Sequence, residues 1–383
     1  MQNRSTVPAT SLDVNSEYLL PRSIPQLDGL RGLAILLVLI DHAGHIAPPA
    51  LSRFVGQGWL GVDLFFVLSG FLITGILWDS RDSNKYFGRF YGRRVLRIWP
   101  AYTVLLIFAF GVLPLLRRFV GGPLMEIRRE PLGLWAFLLM IQNLFASRLF
   151  QSPFLGITWS LAVEEQFYLA WPVVMRYASR TAALPGLLAG LLLTPIIRMW
   201  AMHRGISQMA IYASPLTHGD GLLCGAIVAI WLRSAKPRRR TLLLVGSVLL
   251  VGGVGFFLAN LPNDVVNHYC SPFLFTNVAL LSTGLLLVAL TSENTGRTMH
   301  RFLFMNPWLS FLGFISYSLY LYHFFILRSS IRETVVARFD RWQHPYLTQC
   351  LLELCAIALS IVLAWISRVT LERAALARKG LFG

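Results

Sequence analysis

Charge is what this sequence has least of. Of its 383 residues only 14% are Asp, Glu, Lys or Arg, while 55% are hydrophobic. Soluble chains average nearer a quarter charged, so a water-soluble fold of this length lacks the polar surface to cover so much apolar side chain. Acid is scarcer still: 18 Asp and Glu face 34 Lys and Arg, a net charge of +16. That excess does not describe a nucleic-acid surface. The basic residues sit in short blocks between apolar segments, where the positive-inside bias places them. Cysteine is sparse too. Cys224, Cys270, Cys350 and Cys355 show neither paired spacing nor a metal pattern and read as neutral packing residues. The sequence has no HExxH, no GxSxG elbow and no phosphate-binding P-loop. His42 and His45 lie three apart, but no further ligands at matching spacing join them, so no metal is expected. Residues 1–20 lack an apolar core ending in a small-residue cleavage site, and read as a polar tail rather than a cleaved signal peptide.

What is there instead is a series of apolar runs long enough to cross about 30 Å of hydrocarbon. Spans are predicted at roughly 29–46, 59–78, 99–116, 156–175, 182–199, 215–232, 241–260, 272–290, 308–327 and 346–367, with a shorter piece at 132–146. The basic stretches 81–97 ("RDSNKYFGRFYGRRVLR"), 233–240 ("RSAKPRRR") and 367–380 belong in the cytoplasm, and 259–272, without Lys or Arg, belongs outside. These placements conflict in parity if every piece crosses. The simplest repair makes 132–146 non-spanning or re-entrant, with both termini inside. The four arginines of 117–130 run against that scheme, which puts them outside. The expected fold class is all-α: a polytopic integral membrane bundle of about ten transmembrane helices plus one short segment. Residues 1–23 form a polar tail, 24–375 one membrane domain and 376–383 a basic cytoplasmic tail. No repeat or appended soluble domain is apparent.

Several spans carry polar groups. In "LDGLRGLAILLVLIDH" (27–42), Arg31 and His42 are eleven positions apart, three helical turns plus about 20°. They share a face, about 16 Å apart along the axis, and Asp41 points about 100° away from His42. Ionisable groups inside a membrane are costly and usually face inward, although Arg31 could equally anchor a span end and His42 could be a satisfied core imidazole. In "GVDLFFVLSGFLIT" (61–74) Asp63 and Ser69 are the strongly polar side chains of what could be a simple packing helix. "FYGRRVLRIWP" (90–100) places Arg94 and Arg97 on one helix face. Two such guanidiniums make a fork for phosphate oxygens, or else ordinary positive-inside charge. In "TWSLAVEEQFYLAWP" (158–172) Ser160, Glu164, Tyr168 and Pro172 form one stripe, with Glu165 off it. A carboxylate there must be paired, hydrogen-bonded or protonated. "THGDG" (217–221) offers His218 and Asp220 as a pair or polar cap. "FISYSLYLYHFFI" (314–326) puts Tyr317, Tyr320 and His323 on one side, for packing or recognition.

These motifs, in this order and over about residues 24–375, resemble the membrane acyltransferase-3 family. The resemblance implies an O-acyltransferase of the cytoplasmic (inner) membrane. Such an enzyme moves an acyl group, most often acetyl, from cytoplasmic acyl-CoA to a hydroxyl of an exported carbohydrate. Acetyl-CoA is then the donor cosubstrate, and Arg94 and Arg97 belong to its site. His42 suits the general base, because imidazole titrates near neutrality. Arg31 would bind the donor or orient the site, and Glu164 would position the acceptor or tune an imidazole. Asp41, Asp63, Ser69, Ser160, Tyr168 and Tyr317 support them, with His323 a second imidazole. Arg31 and His42 are expected to face one shared interior cavity. The competing class is a transporter or flippase for a glycolipid or small anionic solute, but no paired half-length broken helices of the kind inverted repeats predict are seen.

Overall fold

Within hydrocarbon no water satisfies the backbone, so an apolar chain closes its hydrogen bonds inside helices. The computed structural model describes residues 24–43, 54–120, 129–260, 271–291, 304–327 and 345–382. Among them no strand occurs. The polar tail 1–23, His45, Cys270 and most of the loops 117–130 and 259–272 lie outside the described residues.

The long helices fall on the apolar stretches read from the sequence. They are α1 (Pro25–Ala43), α2 (Leu60–Asp79), α3 (Tyr86–Ile107), α4 (Thr158–Tyr177) and α5 (Ala183–His203), followed by α6 (Asp220–Ser234), α7 (Arg239–Ala259), α8 (Leu274–Leu290), α9 (Pro307–Leu327) and α10 (Pro345–Ser367). Among the described residues six helical runs are long and apolar enough to cross a membrane. The protein is a multi-pass membrane protein. Among the described residues between Val120 and α4 the helical pieces are only short turns, Leu134–Leu138, Gln142–Phe145 and Ala146–Leu149. Each is far below the roughly 20 residues a crossing needs.

Three elements depart from the sequence reading. α3 begins at Tyr86 rather than near 99, and runs on through a π turn (Phe108–Val112) to Val120. Arginine is a good helix former and residues 86–98 contain no proline. Arg94 and Arg97 therefore sit inside a long helix, not in a loop. α6 starts at Asp220, because Gly219 separates it from the single turn Pro215–His218. The basic tail expected from 376 carries helical turns. Arg368–Glu372 form a π turn, and Arg373–Ala377 and Arg378–Phe382 continue helically against α3.

Polar ties fix which helix ends lie together. Arg233 at the end of α6 grips Asp79 at the end of α2 through Nε (2.7 Å) and Nη2 (2.8 Å). Arg81 donates to Arg176 O near the end of α4 (3.2 Å), and Arg239 at the start of α7 donates to Thr291 O just past α8 (2.9 Å). Consecutive helices thus alternate in direction. Glycine sets the closest approaches, as small residues do between membrane helices. A Cβ on Gly225 of α6 would lie 2.1 Å from Val67 O of α2, and one on Gly32 of α1 would lie 1.9 Å from Leu309 O of α9.

Outside the spans, Glu130 is half-buried and its Oε2 accepts from Ser152 Oγ at 2.5 Å. Burial pushes its carboxyl up to about 7 from the ordinary 4.5, against the opposing pulls of Ser152 and Arg117. The folded state thus holds a proton that the unfolded chain releases. Glu130 stabilises the fold below about pH 4.5 and loses that contribution as pH rises through about 7. Thermal unfolding in detergent should show this loss between those limits, and Glu130→Gln should flatten it. Gly225→Leu should destabilise the α2–α6 contact by several kcal/mol, about the upper range of overpacking or more, read as a lower Tm and reduced yield of monodisperse protein.

Candidate active site

Five helices converge on a cavity of about 130 Å³. α1 contributes Arg31, α2 Ser69, and α3 both Arg94 and Arg97. α4 supplies Ser160, Glu164 and Tyr168, three members of the stripe read from its sequence, and α9 supplies Tyr317 and Tyr320. The four-residue spacing on α4 and the three-residue spacings on α3 and α9 are what aim these groups at one space.

Most of these groups hold one another in place. Glu164 Oε1 accepts from Ser69 Oγ at 2.7 Å, joining α4 to α2. Ser160 Oγ and the Tyr320 hydroxyl are 2.7 Å apart, and Tyr317 donates to Ile98 O at 2.6 Å. Arg31 pairs with Asp28 at 2.9 Å, one turn back on its own helix. Arg94 and Arg97 are different. Among the described residues neither forms an ion pair, and Arg94 Nε is buried without a hydrogen-bond partner. Glu164 and Glu165 act on Arg94 from a distance. Glu165, off the sequence stripe, turns toward α3 and leaves Oε1 buried and unpartnered. Sequence periodicity passed over it because it faces the seam beside the cavity, where a second helix supplies the polar neighbour.

His42 is not in this space. Its ring meets His323 edge-on at 5.0 Å between centroids and Phe324 at 5.3 Å. Tyr320, which lines the cavity, lies 5.8 Å from His323 on its other side. The expectation that Arg31 and His42 share one chamber is therefore corrected. They occupy one face of α1, but His42 packs against His323 and Phe324 of α9 and is not among the residues lining the cavity. Both imidazoles are oriented alike. His42 Nδ1 is 2.9 Å from Val38 O and His323 Nδ1 is 3.0 Å from Leu319 O. A carbonyl only accepts, so each Nδ1 carries the proton and Nε2 is the basic nitrogen of the neutral ring. His323 Nε2 is buried with no partner. Asp41 packs beside Gly58, where a Cβ would come within 2.5 Å of its own Cβ, and does not line the cavity.

Asp63 belongs to a second polar cluster behind the cavity wall. His218 Nε2 lies 3.1 Å from Asp63 Oδ1, and Arg198 Nη2 lies 2.5 Å from Asp220 Oδ2, all four side chains fully buried. His218 and Asp220 are thus not paired with each other; each bonds across to another helix. Thr276 donates to Asp220 at 2.7 Å and Arg198 Nε to Thr217 O at 2.8 Å. Since His218 Nδ1 donates to Tyr212 O (2.8 Å), the Asp63–His218 contact holds one proton between two groups. Phe66 joins this cluster to the cavity, lining one and meeting the His218 ring at 5.8 Å. The sequence signal missed here was Arg198 itself, a single cation inside an apolar run.

Comparison with known proteins gives this arrangement a lineage. A family described as an acyltransferase domain matches residues 24–369. The chain belongs to the acyltransferase-3 family. The peptidoglycan O-acetyltransferase OatA of Listeria monocytogenes is 29% identical over 326 residues, covering 79% of this chain and 49% of that protein. A putative peptidoglycan O-acetyltransferase of Bacillus subtilis, YrhL, is 30% identical over 333 residues, covering 82% and 50%. The O-acetyltransferase OatA of Staphylococcus aureus is 28% identical over 322 residues, covering 80% and 51%. The chain spans about half the length of these curated relatives. No solved structure matches it significantly.

In this acyltransferase-3 chain, replacing one partner of the Arg198–Asp220 pair strands a buried charge. Arg198→Ala should cost about 3–5 kcal/mol. The double substitution Arg198→Ala/Asp220→Ala should recover part of that loss in thermal unfolding.

Proposed function

We propose that this protein is a membrane-embedded O-acyltransferase. It takes an acyl group, most simply acetyl, from cytoplasmic acetyl-CoA and places it on a hydroxyl of an exported carbohydrate, a peptidoglycan sugar being the acceptor its relatives' names suggest. The observation that carries this reading is the unpaired Arg94–Arg97 fork in an otherwise well-paired cavity. Guanidiniums left without carboxylates in a low-dielectric site call for an anionic ligand, and phosphate oxygens match their fork.

In this reading the domain is residues 24–375. All ten long helices cross the cytoplasmic membrane with 132–146 non-spanning or re-entrant, and both termini lie inside. The donor's phosphates rest on Arg94 and Arg97 while Arg31 steadies the chain between them and the thioester. An extended pantetheine arm then covers the distance of about 16 Å along α1 from Arg31 toward His42. His42 Nε2 removes the proton of the acceptor hydroxyl as its oxygen attacks the thioester carbonyl. The new C–O ester bond forms, the C–S bond breaks, and the leaving thiolate takes the proton from the imidazolium. Glu164, held by Ser69, orients the arm or the acceptor. Tyr320 and Ser160 stand where the two ends meet, and His323 backs the base.

Purified protein in nanodiscs should transfer labelled acetyl from acetyl-CoA to a muropeptide or glycan acceptor. His42→Ala should reduce turnover by about 10²-fold or more, the usual worth of a general base, while the protein remains folded. Full turnover in that variant would remove His42 from the reaction. Arg94→Ala and Arg97→Ala should each weaken coenzyme A binding by about tenfold or more, and unchanged donor affinity would overturn the phosphate fork.

A further inference from the structure

The residues beyond α10 do more than end the chain. The π turn Arg368–Glu372 brings a carboxylate into the bundle: Glu372 is 1% exposed, accepts from Ser318 Oγ of α9 at 2.6 Å, and pairs with Arg368 Nη1 at 3.1 Å. Arg368 lies over the Phe314 ring at 4.5 Å. One edge of its guanidinium is thus taken by Glu372 and one face by an aromatic ring, while its Nε is buried and makes no hydrogen bond. Its other charged neighbours are Asp28 and Arg97. Arg97 in turn lies close enough to Arg31 for their charges to repel. Geometry puts Arg368 at the Arg31 end of the cavity: Phe314, beneath its guanidinium, follows Gly313, where a Cβ would come within 1.9 Å of Asp28 O, and precedes the cavity-lining Ser316 by two residues. Arg31, Arg97 and Arg368 there outnumber Asp28 and Glu372, an excess of positive charge that favours an anionic ligand.

The rest of the segment fastens this arrangement to the arginine helix. Phe382 packs where a Cβ on Gly92 would come within 2.3 Å of its ring, two residues before Arg94. Glu372 and Phe382 both lie beyond residue 369, where the family match stops.

We propose that Arg368 is a third phosphate-binding guanidinium of the donor site, set in place by the Ser318–Glu372 contact and the turn that carries it. This rests on the reading of Arg94 and Arg97 as the acyl-CoA fork, and assigns Arg368 to a phosphate lying outside the cavity, whose lining it does not join. Coenzyme A carries a pyrophosphate and a separate 3′-phosphate, so two anionic groups need more than one fork.

The test uses the full chain in nanodiscs and measures affinity for coenzyme A and for 3′-dephospho-coenzyme A by calorimetry. Arg368→Gln should weaken coenzyme A binding about tenfold or more, and Arg368→Lys should restore part of it. If 3′-dephospho-coenzyme A binds wild type and Arg368→Gln equally, the contact is to the 3′-phosphate. If both ligands weaken together, it is to the pyrophosphate. Either pattern supports the proposal. Because Arg368→Gln leaves Glu372 buried without its partner, Arg368→Gln/Glu372→Gln removes both charges and separates a loss of binding from a loss of folding. Wild-type coenzyme A affinity in that folded double variant overturns the proposal. If Arg94→Ala weakens binding while the double variant does not, only Arg368 is misassigned. If folded wild-type protein binds no coenzyme A, the acyl-CoA reading fails with it.

Discussion

A guanidinium in the interior of a membrane protein must find negative charge, and the layout of this chain follows from how each arginine meets that demand. Arg198 meets it with Asp220, Arg233 with Asp79, Arg31 with Asp28 and Arg368 with Glu372. Each pair ties elements together or braces one helix end. Arg94 and Arg97 are left facing the cavity without such a pair. With 18 acids to 34 bases in the sequence, pairing cannot be complete. Two of the guanidiniums without an acid partner line the cavity, and that place is open to a ligand.

The helices can gather around such a site only because their backbones come close. The α1–α9 and α2–α6 contacts run through glycines whose missing side chains leave room for a facing carbonyl. Lipid offers no hydrophobic drive toward helix association, so close van der Waals packing and buried polar bonds supply it. The Asp63–His218 and Arg198–Asp220 cluster gives the second of these, holding α2, α5, α6 and α8 at the back of the cavity wall. Site and scaffold are one set of contacts here.

Much of this was legible in advance. Apart from the start of α3, hydropathy located the long helices to within a few residues, because length and apolarity are what the bilayer demands of any crossing segment. Local periodicity aimed Ser160, Glu164 and Tyr168 together, and Arg94 with Arg97. What failed was everything set by contact between helices. Position eleven on α1 returned His42 to the face of Arg31, but nothing local to α1 foretold that Tyr320 and His323 would stand against it. His218 and Asp220, neighbours in sequence, found partners on other helices. Glu165 falls off the stripe of its own helix while its charged neighbour Arg94 is on α3, and no local pattern ties Phe382 to Gly92.

The Tyr320–Ser160 contact has a consequence for the membrane itself. A phenol and a hydroxyl 2.7 Å apart leave no room for water between them. The Tyr320 ring lines the arginine-bearing cavity and lies 5.8 Å from His323, itself against His42. A closed hydroxyl contact at that junction gives ions no water-filled path there, as a plain pore would.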